Sequence, residues 1–578
     1  MTDAAAGVDP KTWALPPPHG LRRFLPILTW LPGYDRRWLR FDVIAGATVW
    51  GLLVPEMIAY SGLAGLPPQA GLYTLLASLA AYAIFGTSRH VVVAGTSASA
   101  VLIASGVASR GTSSPHDYAV LASGLVLLCG GLFLAAGILR LGFVAQFLSR
   151  PVIDGFVFGL AIFVTVSQLP KLLGIEKGEG DTIRQFFSLL SRLDDVHWTT
   201  FAVGGSALLL LFGVERFAPR LPGGLLALVL GIGVSAALDL SQHGVAVVGK
   251  VQAGLPPVGV PDLSAGDAVA LTGVAAGMLL VIFSESLGAA QTFATKYGYE
   301  IDPNQEMIAL GTANIGSGFI GGLAAGGSLS QSAVNEGAGA RSELSPIVAA
   351  ALALVTVLFL TQLFKTLPEA VLAALIIFAI SHLYKVAEFR RYYSVRQPEF
   401  WLGLATLLGV ITWDVLPGLV IGVVSMLLLV VYYASRPHLG VLGSVPGTPG
   451  AYGDVGRHPD YKRTPGLLAL RLEAPLFYAN TTPVRDRVKS LVGASDPPPK
   501  AVILDLGANG QLDITSAEML DELVRVLRSA GVDVVLAEVR APVLEMADRT
   551  GLLDTIGDDH VFHTVDEAIR ALGTSEQQ

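Results

Sequence analysis

Val93-Ala94-Gly95-Thr96-Ser97-Ala98-Ser99 and Gly321-Gly322-Leu323-Ala324-Ala325-Gly326-Gly327-Ser328-Leu329-Ser330 are two small-residue stretches, one in each half of the chain. Each leads into a short helical run. Apolar runs surround both, so the two stretches read as interruptions at corresponding places. Paired interruptions of this kind point to inverted repeats with discontinuous helices. The start of a half-helix carries unpaired N–H groups and the positive end of the helix dipole, which suits an anion. Two flexible loops between ordinary spans form the competing reading, and the pattern alone leaves both open.

Outward from these stretches lie apolar runs of about 17–25 residues, long enough to cross ~30 Å of hydrocarbon. Residues 118–139, 221–238, 345–364 and 415–435 are the clean examples, without a charged residue. Residues 43–60, 69–88, 91–109, 151–168, 199–214, 269–287, 370–384 and 400–413 are broken by Pro, Gly or a single acid. Residues 307–320 and 328–338 are shorter and Gly-rich, which brings the expectation to about fourteen segments. Composition agrees: of 578 residues 52% are hydrophobic and 15% charged, with a mean hydropathy of +0.59. Soluble chains carry about 25% charged residues. The chain therefore reads as a polytopic α-helical membrane protein whose partner is the lipid bilayer. Its 65 glycines exceed the usual ~7% share and suit close helix packing.

Several classes are excluded. A single cysteine, Cys129, rules out a disulfide framework and a multi-cysteine metal site. The net charge of −8 argues against a nucleic-acid partner. There is no Walker A loop for ATP-driven transport. The chain is not read as an enzyme, and neither a cofactor nor a metal is expected.

Charge divides the chain. From Pro437 onward there are 13 Lys/Arg against 20 Asp/Glu, a net of −7, whereas the rest is near neutral. Residues 1–42 form a basic arm with three prolines at 16–18, then Arg22, Arg23, Arg36, Arg37 and Arg40, and no signal peptide is seen. With both termini inside, the cytoplasmic loops hold Arg89, Arg140, Arg150, Arg216, Arg220, Lys296, Arg341, Lys385, Arg390, Arg391 and Arg396. The outside loop 171–192 balances its bases with acids that include Glu176 and Glu179. The positive-inside rule then predicts an even number of spans in the plasma membrane, with cytoplasmic termini. The membrane domain is expected over 43–435, and a Gly- and Pro-rich linker over 436–465. Residues 466–578 alternate strands (467–472, 501–506, 532–537) with helices (482–492, 516–530, 542–550, 564–572), as in a small α/β domain.

Several longer motifs resemble those of the sulfate permease (SulP) anion transporters. They are Pro55-Glu56-Met57-Ile58-Ala59-Tyr60, Ala64-Gly65-Leu66-Pro67-Pro68-Gln69-Ala70-Gly71-Leu72-Tyr73, and Phe85-Gly86-Thr87-Ser88-Arg89-His90. Later come Tyr297-Gly298-Tyr299-Glu300-Ile301-Asp302-Pro303-Asn304-Gln305-Glu306 and Gly327-Ser328-Leu329-Ser330-Gln331-Ser332. The tail resembles the STAS domain that ends most of these proteins. The resemblance implies fourteen segments in two inverted repeats of seven. A mobile core (segments 1–4 and 8–11) would move against a gate (5–7 and 12–14), with the anion between half-helices 3 and 10. It also implies a homodimer.

The same resemblance directs attention to particular residues. Thr96 and Ser97, and Ser328, Leu329 and Ser330, open the two half-helices and would bind the anion, with local capping as the alternative for each hydroxyl. Tyr60 stands where relatives have an aromatic lining residue, with helix packing as its alternative. An ionisable group inside a span is costly and functional by default. Glu56 repels an anion unless protonated, so it is a coupling candidate; the alternative is an acid facing a wet cavity. Glu285 is the second, with Ser284 and Ser286 beside it as oxygen ligands for a cation; the alternative is a structural hydrogen bond. Asp154 reads as a helix-start residue. Many relatives carry arginine where this chain has Gln331, and many carry glutamine where it has Glu56. An anion here would then need a co-substrate. The expectation is proton-coupled symport of sulfate, bicarbonate or a dicarboxylate, by elevator-like alternating access. The alternatives are a sodium-coupled bicarbonate symporter, an uncoupled channel or exchanger, and a membrane-anchored regulator acting through its tail. In the tail, Ile514 takes the place of the phosphorylated serine of regulatory STAS domains and Thr515 follows, so an ordinary helix start is expected. His560 and His563 read as a solvated loop.

Overall fold

The structure, a computed structural model, describes residues 24–574 apart from 109, 112–113, 144–148, 179 and 219–220. The prolines at 16–18, Arg22, Arg23, Glu179 and Arg220 lie outside the described residues. The chain divides into two compact units, Met1–Ser425 and Met426–Gln578.

The first repeat runs α1 Leu39–Leu63, α2 Pro68–Phe85, β1 Val92–Gly95, α3 Ser97–Ala108, α4 Pro115–Ile138, α5 Arg150–Leu173, α6 Trp198–Phe217 and α7 Gly223–Leu238. The second runs α8 Ala265–Tyr297, α9 Pro303–Phe319, β2 Ala325–Ser328, α10 Leu329–Gly337, α11 Leu344–Val355, α12 Glu369–Ser381, α13 Gln397–Thr412 and α14 Val415–Ser435. In each repeat the third helix is short and is entered through a strand. Among the described residues, nine helices are long and apolar enough to cross a membrane, and α3 and α7 are shorter apolar helices. Local chemistry sets the ends. Pro68, Pro115 and Pro303 occupy first-turn positions, where a missing N–H costs nothing. The Asp302 carboxylate caps α9 by accepting from the N–H groups of Asn304 and Gln305. Gly174 and Gly298 end α5 and α8 at φ 71° and 67°. Two further short helices, Thr182–Ser191 and Val386–Val395, occupy connections that the sequence left as loops.

The two small-residue interruptions are strands. β1 and β2 pair antiparallel, with Val92 opposite Ser328 and Gly95 opposite Ala325. An extended backbone among apolar helices must find its hydrogen bonds in protein, because hydrocarbon offers none. Here each repeat supplies the partner of the other. The half-helices therefore leave opposite ends of one ribbon, which replaces the flexible-loop reading.

Two apolar clusters organise the helices. One holds Met57, Leu102, Phe133, Met278, Phe283 and Leu310, mainly from α1–α4, α8 and α9. The other holds Leu172, Leu211, Leu228, Val371 and Leu375, from α5–α7 and α12. Backbones touch where glycines permit it: a Cβ on Gly155 of α5 would lie 2.2 Å from the Gly403 carbonyl oxygen of α13. Two buried carboxylates are fully satisfied. Asp42 accepts from the N–H groups of Arg341 and Ser342 and from the hydroxyls of Ser342 and Tyr34. Glu306 accepts from the Tyr82 hydroxyl and from the N–H and hydroxyl of Thr87.

In the second unit, β3 Leu439–Ser444, β4 Tyr452–Asp454, β5 Leu467–Leu472, β6 Ala501–Asp505, β7 Asp533–Ala537 and β8 Val561–Phe562 form one sheet in the order β4-β3-β5-β6-β7-β8. β5 to β8 run parallel; β3 is antiparallel to both neighbours. α15 Thr481–Gly493, α16 Ile514–Ser529, α17 Ala541–Arg549 and α18 Leu552–Ile556 follow, with α19 Val565–Thr574 closing the chain. Alternation along the strands fills both faces: Val502, Leu504, Val534 and Leu536 pack on one, Ile503 and Val535 on the other. The stretch expected as a linker thus contributes β3 and β4. Its glycines and prolines form the turns, while Leu439 and Leu442 are buried.

Gly155→Val is expected to destabilise the protein by on the order of 2–3 kcal/mol, because the α5–α13 backbone contact cannot widen without disrupting both helices. Thermal unfolding in detergent checks this, and an unchanged Tm contradicts the packing described.

Candidate anion site

The starts of α3 and α10 differ. At α3 the Thr96 N–H donates to Ser99 Oγ at 3.1 Å and the Ser99 N–H donates to Thr96 Oγ1 at 3.2 Å. Thr96 is therefore a capping residue as well as a candidate ligand. Ser99 Oγ also donates to the Ala324 carbonyl at 2.7 Å, which fixes the α3 start to the chain entering β2. Ser97 follows as the first helical residue and, like Thr96, is buried.

The start of α10 is more open. The Ser328 side chain makes no cap, and its hydroxyl lies 3.0 Å from that of Ser330. Leu329 is 50% exposed, so an apolar side chain faces solvent beside N–H groups that no side chain caps. Its contribution to any ligand is its backbone N–H. Behind this start, Ser332 Oγ donates to the Ser328 carbonyl at 2.6 Å and accepts from the Val92 N–H at 2.9 Å.

α1 and α8 supply the acids. Glu56, one residue after Pro55, is half-buried, and its Oε2 accepts from Gln331 Nε2 at 2.9 Å. The same amide nitrogen donates to the Gly95 carbonyl at 3.3 Å. One side chain of α10 thus joins α1 to the end of β1. Tyr60, one turn along α1 and buried, feels the charge of both Glu56 and Glu285. Among the described residues neither acid has an ion-pair partner. The positive groups here are the helix starts.

The serines flanking Glu285 are committed. Ser284 Oγ donates to the Leu280 carbonyl at 2.7 Å. Ser286 Oγ donates to the Ile282 carbonyl at 2.6 Å and accepts from the Gly327 N–H at 2.7 Å. Ser286 is an anchor for β2, and the close approach needs glycine: a Cβ on Gly327 would meet Ser286 Cα at 3.1 Å. Asp154 accepts from the Tyr392 hydroxyl at 2.6 Å and joins α5 to the Val386–Val395 helix. In the tail, Asp513 caps α16 by accepting from the Ser516 N–H at 2.7 Å and also takes the Tyr478 N–H. These bonds hold its carboxyl below the usual range although burial opposes them. Ile514 is exposed, as a helix start allows. Both ring nitrogens of His560 are engaged, by Asp533 and Asp559, and the His563 N–H donates to Glu567.

Sequence reasoning missed the anchors Ser99 and Ser332 and the amide bridge from Gln331 to Glu56, and it read Ser286 as a cation ligand where the structure makes it an anchor. The first had a signal: Thr96-x-x-Ser99 is a capping spacing. The others join residues far apart in sequence and left none.

A model of the Sulfate permease family matches residues 39–406, and a STAS domain model matches residues 458–568. A probable sulfate transporter of Mycobacterium tuberculosis is 36% identical over 556 residues, covering 95% of this chain and 99% of its own. The murine Solute Carrier 26 member A9 anion transporter, in its inward-facing state, superposes with a TM-score of 0.88 at 22% identity, over 96% of this chain and 94% of its own. The transmembrane domain of the cyanobacterial bicarbonate transporter BicA superposes at 0.59 and 23% identity, over 68% and 98%. At these identities the two structures speak for the fold alone.

Ser286→Val leaves the buried Gly327 N–H without its acceptor and is expected to cost about 1–3 kcal/mol. A Tm drop larger than that of Ser284→Ala, whose hydroxyl only bonds its own helix, is the expected result.

Proposed function

This chain belongs to the sulfate permease family, and we propose that it is a proton-coupled symporter of an inorganic or small carboxylic anion. The observation that carries the reading is a membrane-embedded acid, Glu56, bonded at 2.9 Å to Gln331 of α10 beside that helix's uncapped start, with no ion-pair partner among the described residues. Backbone N–H groups and hydroxyls bind an oxyanion weakly, which suits release as well as capture. An ionised Glu56 beside that site opposes the anion. A proton on Glu56 removes the opposition, so anion and proton occupy the site together. Release of either to the other side favours release of both.

Sulfate, bicarbonate and a dicarboxylate remain the substrate candidates. Sulfate takes first place because the mycobacterial relative bears that name. Sodium is the less favoured co-substrate, since Ser286 is already spent on β2. Movement is assigned to an elevator-like shift of helices α1–α4 and α8–α11, which include both half-helices, against α5–α7 and α12–α14. The protein is placed in the plasma membrane as a homodimer with cytoplasmic termini, a reading that rests on its loop charges and its family.

Uptake of labelled sulfate, bicarbonate and fumarate into proteoliposomes, with an inward proton gradient imposed or collapsed, tests this. One anion should accumulate only with the gradient, and Glu56→Gln should remove that dependence. Accumulation that follows sodium at fixed pH, or that ignores both gradients, overturns proton coupling.

A further inference from the structure

Gln331 carries a contradiction that the transport cycle can resolve. Its side chain is almost fully buried, at 2% exposure. Its two amide hydrogens have acceptors, the Glu56 carboxylate and the Gly95 carbonyl. Two acceptors on one side fix which end of the amide is nitrogen. Its oxygen, Oε1, is sealed from solvent and has no donor. A buried carbonyl without a donor is costly. A valine or leucine would avoid that cost, and an arginine would fill the space with donors.

An amide has a donor end and an acceptor end on one rotatable bond. An ionised carboxylate needs the donor end, and that is the arrangement present. A protonated carboxyl presents an O–H and needs an acceptor. Turning the amide about its last bond offers Oε1 to that O–H. The same turn withdraws the nitrogen from the Gly95 carbonyl. The orphaned oxygen is thus the half of the amide that waits for the proton.

We propose that Gln331 is the positioning residue for Glu56: its amide holds the carboxylate in the charged form that repels the anion and, when a proton arrives, turns to accept from the new O–H while releasing the end of β1. Protonation is thereby read out as a loosening of the tie between α1, β1 and α10, the three elements that frame the half-helix starts. The inference rests on the proton-coupled reading above. The titratable groups coupled to Glu56 here are Tyr60, on the same helix, and through Tyr60 Glu285 on α8; β1 and α10 contribute the Gly95 carbonyl and Gln331 itself.

The test uses full-length protein and two readouts. The infrared carbonyl stretch of a protonated carboxyl, identified by its absence in Glu56→Gln, gives the pH at which Glu56 takes its proton. Anion uptake against pH gives the transport profile. Gln331→Met keeps the length and removes both hydrogen bonds; each form of Glu56 loses its partner, and the charged form loses more because its bond is the stronger. Both midpoints should rise by about one pH unit. Gln331→Glu keeps the shape and replaces the donor by an acid, and it should move both midpoints further the same way, which covers the case of a poorly folded methionine variant. Gln331→Arg places a fixed cation beside Glu56 and should leave uptake that no longer needs the proton gradient. Unmoved midpoints in Gln331→Met and Gln331→Glu overturn the proposal. A moved infrared band in protein whose wild-type uptake ignores the gradient supports the positioning role and sinks the coupling. A fixed band in protein whose uptake is proton-driven sinks the positioning role alone.

Discussion

Everything near the site depends on one requirement: backbone N–H and C=O groups placed among apolar helices must be paired within the protein. A half-helix begins in mid-bilayer only if the extended chain leading to it is paired. In this fold each lead-in strand is paired by the other, β1 with β2. The ribbon cannot exist in one repeat alone. The chain therefore needs both repeats, in opposite orientation, before it can present even one half-helix start.

That ribbon explains the composition around it. Strands pinned between α1 and α8 leave little room for side chains. A Cβ on Gly95 would sit 3.0 Å from Met57 Sδ, and one on Gly326 would sit 2.8 Å from Ile282 Cγ2. Serines hold the ribbon where glycines admit it: Ser99 reaches the Ala324 carbonyl, Ser286 the Gly327 N–H and Ser332 the Val92 N–H. The small-residue stretches are thus the signature of a tightly clamped structure. What the clamp leaves open is the uncapped start of α10, with Glu56 bonded to Gln331 in that helix's first turn.

The segment plan was largely legible in the sequence because apolar run length and paired interruptions report on the bilayer directly. The runs at 118–139 and 415–435 correspond closely to α4 and α14. That the interruptions are strands was not legible, since four residues of Val, Ala and Gly have no period to read. Neither was the contribution of 436–465 to the tail sheet, where turn-forming glycines and prolines masked the buried Leu439 and Leu442. At the site, residue types were legible and partnerships were not. Glu56 stands out as an acid in a span, but its bond to Gln331 crosses 275 positions. Thr96 was read as a ligand or a cap; its bonds to Ser99 show the capping role.

The central claim is that a proton crosses with the anion because Glu56 must be neutral for the anion to bind. The most direct measurement is the luminal pH of proteoliposomes that contain a trapped pH dye, followed as sulfate or fumarate is added outside with no imposed gradient. The account predicts that the transported anion acidifies the lumen in step with its own uptake, and that Glu56→Gln abolishes the acidification. Anion uptake with no change in luminal pH would contradict it.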